Sequence, residues 1–308
     1  KQNNNEVWPR HINKMDNNKK VTTMNNNSGH FNTITTIIEN AKYKEGVNYY
    51  TMIYDFRNLQ NNLDNIMHLF LTYLNKSTVI IAYDFGCVLA NILINKLGHF
   101  SKHSKYLNNI DKYIMIAPTI GGVPMTLRDY LSGNGVVSTK LIENYESIIL
   151  SLPCPHIYKH PIAIYDNISY KANNMEHLLN LANKPSQLYK DLHHLQELSL
   201  FPLPEFINCI VVTSNQYNTP FSYDFTNDFN NEPVRYKPLN NNQLPNDDIH
   251  FNGTFEGAQT IGDGVVPFMA IKEFIKNNKN CSLELIKDKD HFTILKSYEL
   301  SLVILSNI

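Results

Sequence analysis

The run Ser77–Tyr83 (STVIIAY) constrains the fold more than any other stretch of the chain. It is apolar without alternation, so a strand formed from it has apolar side chains on both faces. Such a strand must be covered on both sides, as happens in a parallel sheet flanked by helices. Asp84-Phe85-Gly86 ends the run, and Val88–Leu97 follows as a predicted helix. Upstream, Val47–Asp55 (VNYYTMIYD) is β-branched and aromatic, and Leu59, Leu63, Ile66, Met67, Phe70 and Leu74 recur at helical spacing. Downstream, Tyr113–Ala117 (YIMIA) is another buried strand, closed by Pro118 and Gly121-Gly122. Strand–helix–strand–helix–strand order of this kind predicts right-handed crossovers and a parallel sheet.

The rhythm breaks after about residue 125. Residues 126–206 carry prolines, aromatics and two helical patches without strand–helix alternation, which predicts a cap inserted over the carboxyl edge of the sheet. The sheet resumes at Ile207–Thr213 (INCIVVT), and residues 207–308 complete the core around a polar insertion at 215–259. Phe268–Asn277 is a predicted helix, Ser282–Ile286 a strand, and Phe292 onward a helix. Residues 1–46 precede the core strands 47–125 as a polar, Asn-rich approach. Its first roughly 30 residues, with the single Trp8, read as loop on composition. Lys1 resembles an internal start, so a longer parent chain is expected.

Net charge is −1, which offers no electrostatic footprint for nucleic acid or an anionic membrane. The four cysteines, Cys87, Cys154, Cys209 and Cys281, show no metal-site spacing, so neither a metal nor a cofactor is expected. A Cys209–Cys281 bridge is conceivable and undecided. Adjacent histidines His193-His194 point to different faces of a helix and predict a solvated pair. Tyr130, Tyr145, Tyr158 and Tyr165 in the cap predict packing, with an acyl groove as the alternative.

Three motifs carry chemistry, in the chain order nucleophile, acid, histidine. Ala82-Tyr83-Asp84-Phe85-Gly86 is a small-x-nucleophile-x-small turn between strand and helix. Such a turn pushes the central side chain over the sheet edge, and the Phe85 N–H is placed to serve an oxyanion. Gly262-Asp263-Gly264-Val265-Val266-Pro267 places a carboxylate where it can orient a histidine. Asp290-His291-Phe292 follows the last predicted strand. Alone, Asp84 reads equally well as a helix cap and Asp263 as a turn residue; the order and the placement on sheet elements give the set its weight.

Taken together, the motifs resemble the lecithin:cholesterol acyltransferase and lysosomal phospholipase family of α/β-hydrolases. Tyr54-Asp55-Phe56-Arg57 is similar to that family's Tyr-Asp-Trp-Arg, and Ile81-Ala82-Tyr83-Asp84-Phe85-Gly86-Cys87 falls where it has Ile-Gly-His-Ser-Leu-Gly-Cys. Ile116-Ala117-Pro118-Thr119-Ile120-Gly121-Gly122 resembles its Gly-Ala-Pro-Trp-Gly-Gly, and Leu131-Ser132-Gly133 its Ala-Ser-Gly. Leu152-Pro153-Cys154-Pro155 is similar to a proline-containing cap stretch, and Asn208-Cys209 to a cysteine strand. Gly262-Asp263-Gly264-Val265-Val266 resembles Gly-Asp-Gly-Thr-Val, and His291 with Ile294-Leu295 the histidine and its helix. The resemblance implies an α/β-hydrolase fold, Asp263 as triad acid and His291 as triad base, with Asp84 in the serine's place. It also implies a phospholipid or other lipid as ligand, protein partners in a larger assembly, and a secretory or membrane-associated setting. The chain departs from the family in three further places. Its first strand is missing, Phe274 stands where a bridging cysteine belongs, and Met24-Asn25-Asn26-Asn27-Ser28-Gly29-His30 replaces the oxyanion loop.

Serine suits acyl transfer because histidine removes its proton and the resulting ester hydrolyses. A carboxylate attacking an ester must instead form a mixed anhydride, which lies above the ester consumed. Asp84 and Asp263 on either side of His291 would also favour its protonated form, which is not a base. Three functions follow in order of expectation. The first is a catalytically silent family member that binds lipid or protein, the second a lipid hydrolase or acyltransferase that works by other means. The third is an Asp-nucleophile hydrolase acting on sp³ carbon, to whose Asp-Trp-Gly turn Asp84-Phe85-Gly86 is similar.

Overall fold

The computed structural model describes residues 20–25, 32–99, 104–132, 142–225, 229 and 259–308. The sequence-predicted strands β2 (Tyr49–Ile53), β3 (Thr78–Tyr83), β4 (Ile110–Ile116), β7 (Asn208–Thr213) and β11 (Cys281–Leu285) all form. They join β1 (Lys20–Asn25) in one six-stranded sheet of order β11-β7-β4-β3-β1-β2, parallel at every pairing.

Apolar side chains alternate between the two faces with the strand period of two. Ile80, Ala82, Tyr113, Met115, Cys209 and Val211 lie in one core cluster. Val79, Ile81, Ile114, Ile116 and Val212 lie in the other. The first face is covered by α2 (Leu59–Tyr73), α3 (Phe85–His99) and α8 (Phe268–Lys276). The second is covered by α1 (Asn32–Asn40) and α9 (Tyr298–Leu305). Burial on both faces explains why β3 and the Tyr113–Ile116 part of β4 read as apolar runs, while β4 begins earlier than predicted, at Ile110, with half-buried Asp111 and Lys112.

The reading of the first stretch as loop is corrected at Lys20–Asn25, which forms β1 between β2 and β3, with Val21 opposite Val79 and Thr23 opposite Ile81. Trp8 and residues 26–30 of the oxyanion-loop substitute lie outside the described residues, as does Gly133. Helix α3 begins at Phe85 rather than Val88, because the Cys87 N–H already donates to the Asp84 carbonyl at 3.1 Å. The terminal helix is delayed. A 3₁₀ turn spans Thr293–Lys296, and α9 starts only after the Ser297 hydroxyl accepts the Leu300 N–H at 3.1 Å.

Between the core halves lie α4 (Pro124–Ser132), α5 (Glu146–Leu150), β5 (Pro161–Tyr165), β6 (Ile168–Lys171), α6 (Met175–Leu181) and α7 (Ser186–Leu200). This region is stitched to the core by polar contacts. Buried Asn91 and Asn95 of α3 donate to the Ser199, Leu198 and Phe201 carbonyls, satisfying the end of α7. Buried Glu146 accepts the Gln60 N–H at 2.6 Å, which closes the start of α2 from α5. At Gly122 (φ +80) a Cβ would collide with the Leu152 carbonyl, so the glycine lets two backbones touch. Beside it, Val123 donates to Ser151 at 2.9 Å, Cys154 to Gly121 at 2.8 Å, and the Tyr158 hydroxyl to Gly122 at 2.7 Å.

Tyr130 and Tyr158 are fully buried, consistent with cap packing. His194 Nδ1 lies 2.9 Å from the Asp191 carbonyl, and His193 lies 3.6 Å from Glu197. The insertion at 215–259 is not polar loop throughout. Within the described residues it contributes β8 (Tyr217–Pro220), β9 (Tyr223–Asp224) and the first residue of β10 (Gln259–Gly262). Strand β8 pairs antiparallel with β10, and β9 parallel with β5.

Candidate functional site

The three motifs converge at the carboxyl edge of the sheet. Asp84 sits at the tip of the turn from β3 to α3 with φ +53, a left-handed conformation uncommon outside glycine. Its N–H donates to the Ile116 carbonyl at the end of β4 at 3.0 Å, which anchors the turn to the neighbouring strand. The side chain remains 33% exposed. Phe85 opens α3, so its N–H has no acceptor within the helix, as an oxyanion donor requires.

Asp263 is held far more tightly. The β8–β10 ribbon delivers it, and Thr219 Oγ1 accepts the Gly264 N–H at 2.9 Å where the chain turns with φ +94. Asp263 Oδ1 accepts the N–H groups of Val265 and Val266 at 3.0 and 2.7 Å. Its other oxygen meets His291 Nδ1 at 2.9 Å, and its carbonyl accepts the His291 N–H at 2.8 Å. The aspartate is 0% exposed and the histidine 2%. Asp290 shapes the approach, as its Oδ1 accepts from the Phe292 and Thr293 N–H groups and the Thr293 hydroxyl.

The opposite nitrogen, His291 Nε2, lies 3.5 Å from Asp84 Oδ1, an ion-pair contact longer than a good hydrogen bond. Burial by itself would lower the His291 pKa. The hydrogen bond from Asp263 and the approach of Asp84 override it and raise the value from 6.5 to about 10. The two carboxyl groups on either side of the ring thus favour the imidazolium. Tyr83 stands over it: the rings are 5.6 Å apart, and the hydroxyl donates to the His291 carbonyl at 3.3 Å. Burial, then the nearby Asp84, pushes the phenols of both Tyr54 and Tyr83 up, so each stays a donor. Tyr54 lies beside the same turn, its ring centroid 6.5 Å from that of Phe85. In sequence, Tyr54 was visible only as part of a motif and Tyr83 only as a departure; Thr219 gave no signal.

Asp84 in the turn after β3, Asp263 after β10 and His291 after β11 thus meet over a parallel sheet with helices on both faces. The fold is that of the α/β-hydrolases. Solved structures similar to the chain include Est1E from Butyrivibrio proteoclasticus, 11% identical over 94% of this chain and 87% of that one, with a TM-score of 0.40. A carboxylesterase structure from the thaumarchaeon Nitrososphaera gargenis is 9% identical over 94% and 89%, with a TM-score of 0.41. The rice cell wall degrading esterase LipA from Xanthomonas oryzae is 10% identical over 94% and 80%, with a TM-score of 0.40. No family model matches the sequence, and no curated protein does.

Cys209 and Cys281 face each other in register across β7 and β11, and both are free thiols. Among the described residues no cluster of His, Cys, Asp and Glu has the makings of a metal site, and no helix is long and apolar enough to cross a membrane.

Proposed function

We propose that this chain is a catalytically silent α/β-hydrolase-fold protein, similar to the lecithin:cholesterol acyltransferases, that binds a lipid or protein partner without transferring acyl groups. The observation that carries this reading is a carboxylate, Asp84, standing 3.5 Å from Nε2 of buried His291 where a serine hydroxyl would be needed, while buried Asp263 meets Nδ1 and the two together favour the imidazolium. A protonated imidazole accepts no proton from a nucleophile. Asp84 offers no hydroxyl for a histidine to activate, and its attack on an ester leads uphill to an anhydride.

The test is ester hydrolysis by the wild type and by Asp84→Ser, using p-nitrophenyl esters of several chain lengths. The expected wild-type rate is indistinguishable from that of His291→Gln. Turnover by the wild type that His291→Gln abolishes would overturn the reading in favour of a working lipid hydrolase or acyltransferase. Gain of turnover in Asp84→Ser would show that the loss is one residue deep.

One observation favours a second reading. Asp84 is the part of the site open to solvent, with His291 Nε2 within 3.5 Å, as an Asp nucleophile acting on sp³ carbon needs. In that chemistry the carboxylate oxygen bonds to carbon, halide or epoxide oxygen leaves with the electron pair, and water later cleaves the alkyl ester. A fluorescent chloroalkane tests it. Covalent labelling that Asp84→Asn abolishes supports the second reading, and no labelling in wild type or His291→Phe rejects it.

A further inference from the structure

A groove of about 640 Å³ lies between α8 and the cap loop around Ile157, with β11 at its base. It shares no lining residue with Asp84, Asp263 or His291. Its floor is apolar. Ile157 is buried, while Met269, Ile275 and Leu283 are half-buried and face the groove. Its rim is cationic: Lys159, Lys272 and Lys276 are exposed and line it against one carboxylate, Glu273. Glu273 is itself engaged by Lys276 at 3.6 Å. His156 and His160 also line the groove, His156 with its Nε2 3.1 Å from Glu197, and Lys159 donates to the Pro155 carbonyl at 2.7 Å. In a chain whose net charge is −1, this is a local concentration of positive charge beside an apolar trough.

The two halves of the lining select one kind of molecule. An inorganic anion would use the lysines and leave the floor wet. A neutral apolar molecule would fill the floor and bring no counter-charge to the rim, whose three lysines outnumber its one carboxylate. The volume lies within the roughly 300–1,000 Å³ of small-molecule sites, enough for one single-chain molecule. We propose that this groove binds a single-chain anionic amphiphile of the fatty-carboxylate class. The tail would lie along Met269, Ile275 and Leu283, and the head group among Lys159, Lys272 and Lys276. The proposal gives the binding reading a site of its own, yet does not depend on it, because an active triad would leave the groove unchanged.

The experiment uses the full chain and cis-parinarate fluorescence, with oleate and oleyl alcohol as competitors below their aggregation limits. Oleate is expected to displace the probe, and the alcohol to need at least about tenfold more, the equivalent of one charge-assisted hydrogen bond. Lys272→Glu/Lys276→Glu is expected to weaken oleate by about tenfold or more. Met269→Trp, which fills the floor, is expected to lose binding, and Lys159→Met to lose part of it with an unchanged Tm. Asp84→Asn is the control and should bind like wild type. No binding, equal affinity for acid and alcohol, or wild-type affinity in both the Lys272→Glu/Lys276→Glu and Met269→Trp variants would overturn the proposal. Loss of binding in Asp84→Asn alone would place the ligand at the triad, and equally overturn it.

Discussion

The two sides of His291 are built to different tolerances. On the Asp263 side every polar atom is engaged: two backbone N–H groups on one carboxylate oxygen, the imidazole on the other, and a backbone bond between the two residues. On the Asp84 side a partly exposed carboxylate stands 3.5 Å away, beyond a firm hydrogen bond. The difference teaches where the structure is specified. The acid–histidine half is part of the core and is held by folding itself, whereas the nucleophile half depends on the turn that presents it. Removing one partner of a pair buried this completely would leave the other uncompensated in the core.

That contrast can be broken most directly by removing each carboxylate in turn. Asp263→Ala should cost about 3–5 kcal/mol in urea unfolding, because it strands a buried imidazolium and two N–H groups. Asp84→Asn should change stability by less than about 1 kcal/mol, since its partner is met near solvent. Equal losses would refute the asymmetry.

The next effect is pH dependence. The His291 pKa is raised on folding, from 6.5 to about 10, so its contribution to stability is complete below pH 6.5 and is lost as pH rises through 10. Urea midpoints should therefore fall from pH 6.5 upward. They are best followed to about pH 8, because the buried thiols of Cys87, Cys154 and Cys209, raised by burial, add a falling slope of their own as the unfolded thiols ionise. His291→Gln should flatten this decline, and Asp84→Asn should leave most of it. A flat wild-type profile would show that the histidine is neutral.

Tyr83→Phe sharpens the comparison further. It keeps the ring against His291 and deletes the 3.3 Å hydrogen bond, for an expected loss of about 0.5–1.5 kcal/mol. The smallest effect belongs to Asp55→Asn. The Arg57 guanidinium holds the Asp55 carboxyl at about 2, but both groups stand in solvent, so Tm should not move measurably. A clear drop would mean that the Tyr54-Asp55-Phe56-Arg57 motif works through this ion pair rather than through buried Tyr54.

Sequence revealed the strands that are apolar on both faces and little of what pairs with them. Thr78–Tyr83 and Tyr113–Ile116 are legible because two helical layers demand two apolar faces, whereas Ile110-Asp111-Lys112, which opens β4, is not. Lys20–Asn25 is not legible, because Lys-Val-Thr-Thr-Met-Asn is mostly polar, lies in an Asn-rich stretch, and becomes a strand only by pairing with distant β2 and β3. The β8–β10 ribbon is hidden for the same reason, and with it the role of Thr219 in setting Asp263. The order Asp84, Asp263, His291 was readable. Their distances were not, because the separation of 3.5 Å from 2.9 Å depends on how a turn, a ribbon and a loop meet.

The turn at residue 84 has a use of its own. Its positive φ and its bond to the end of β4 belong to the backbone, so whatever side chain stands at the tip inherits the same outlook over the sheet edge. The tip works as a socket. Serine, cysteine or an unnatural nucleophile placed there meets one fixed histidine–carboxylate pair, so the protein is a chassis for comparing reactive groups with everything else held constant.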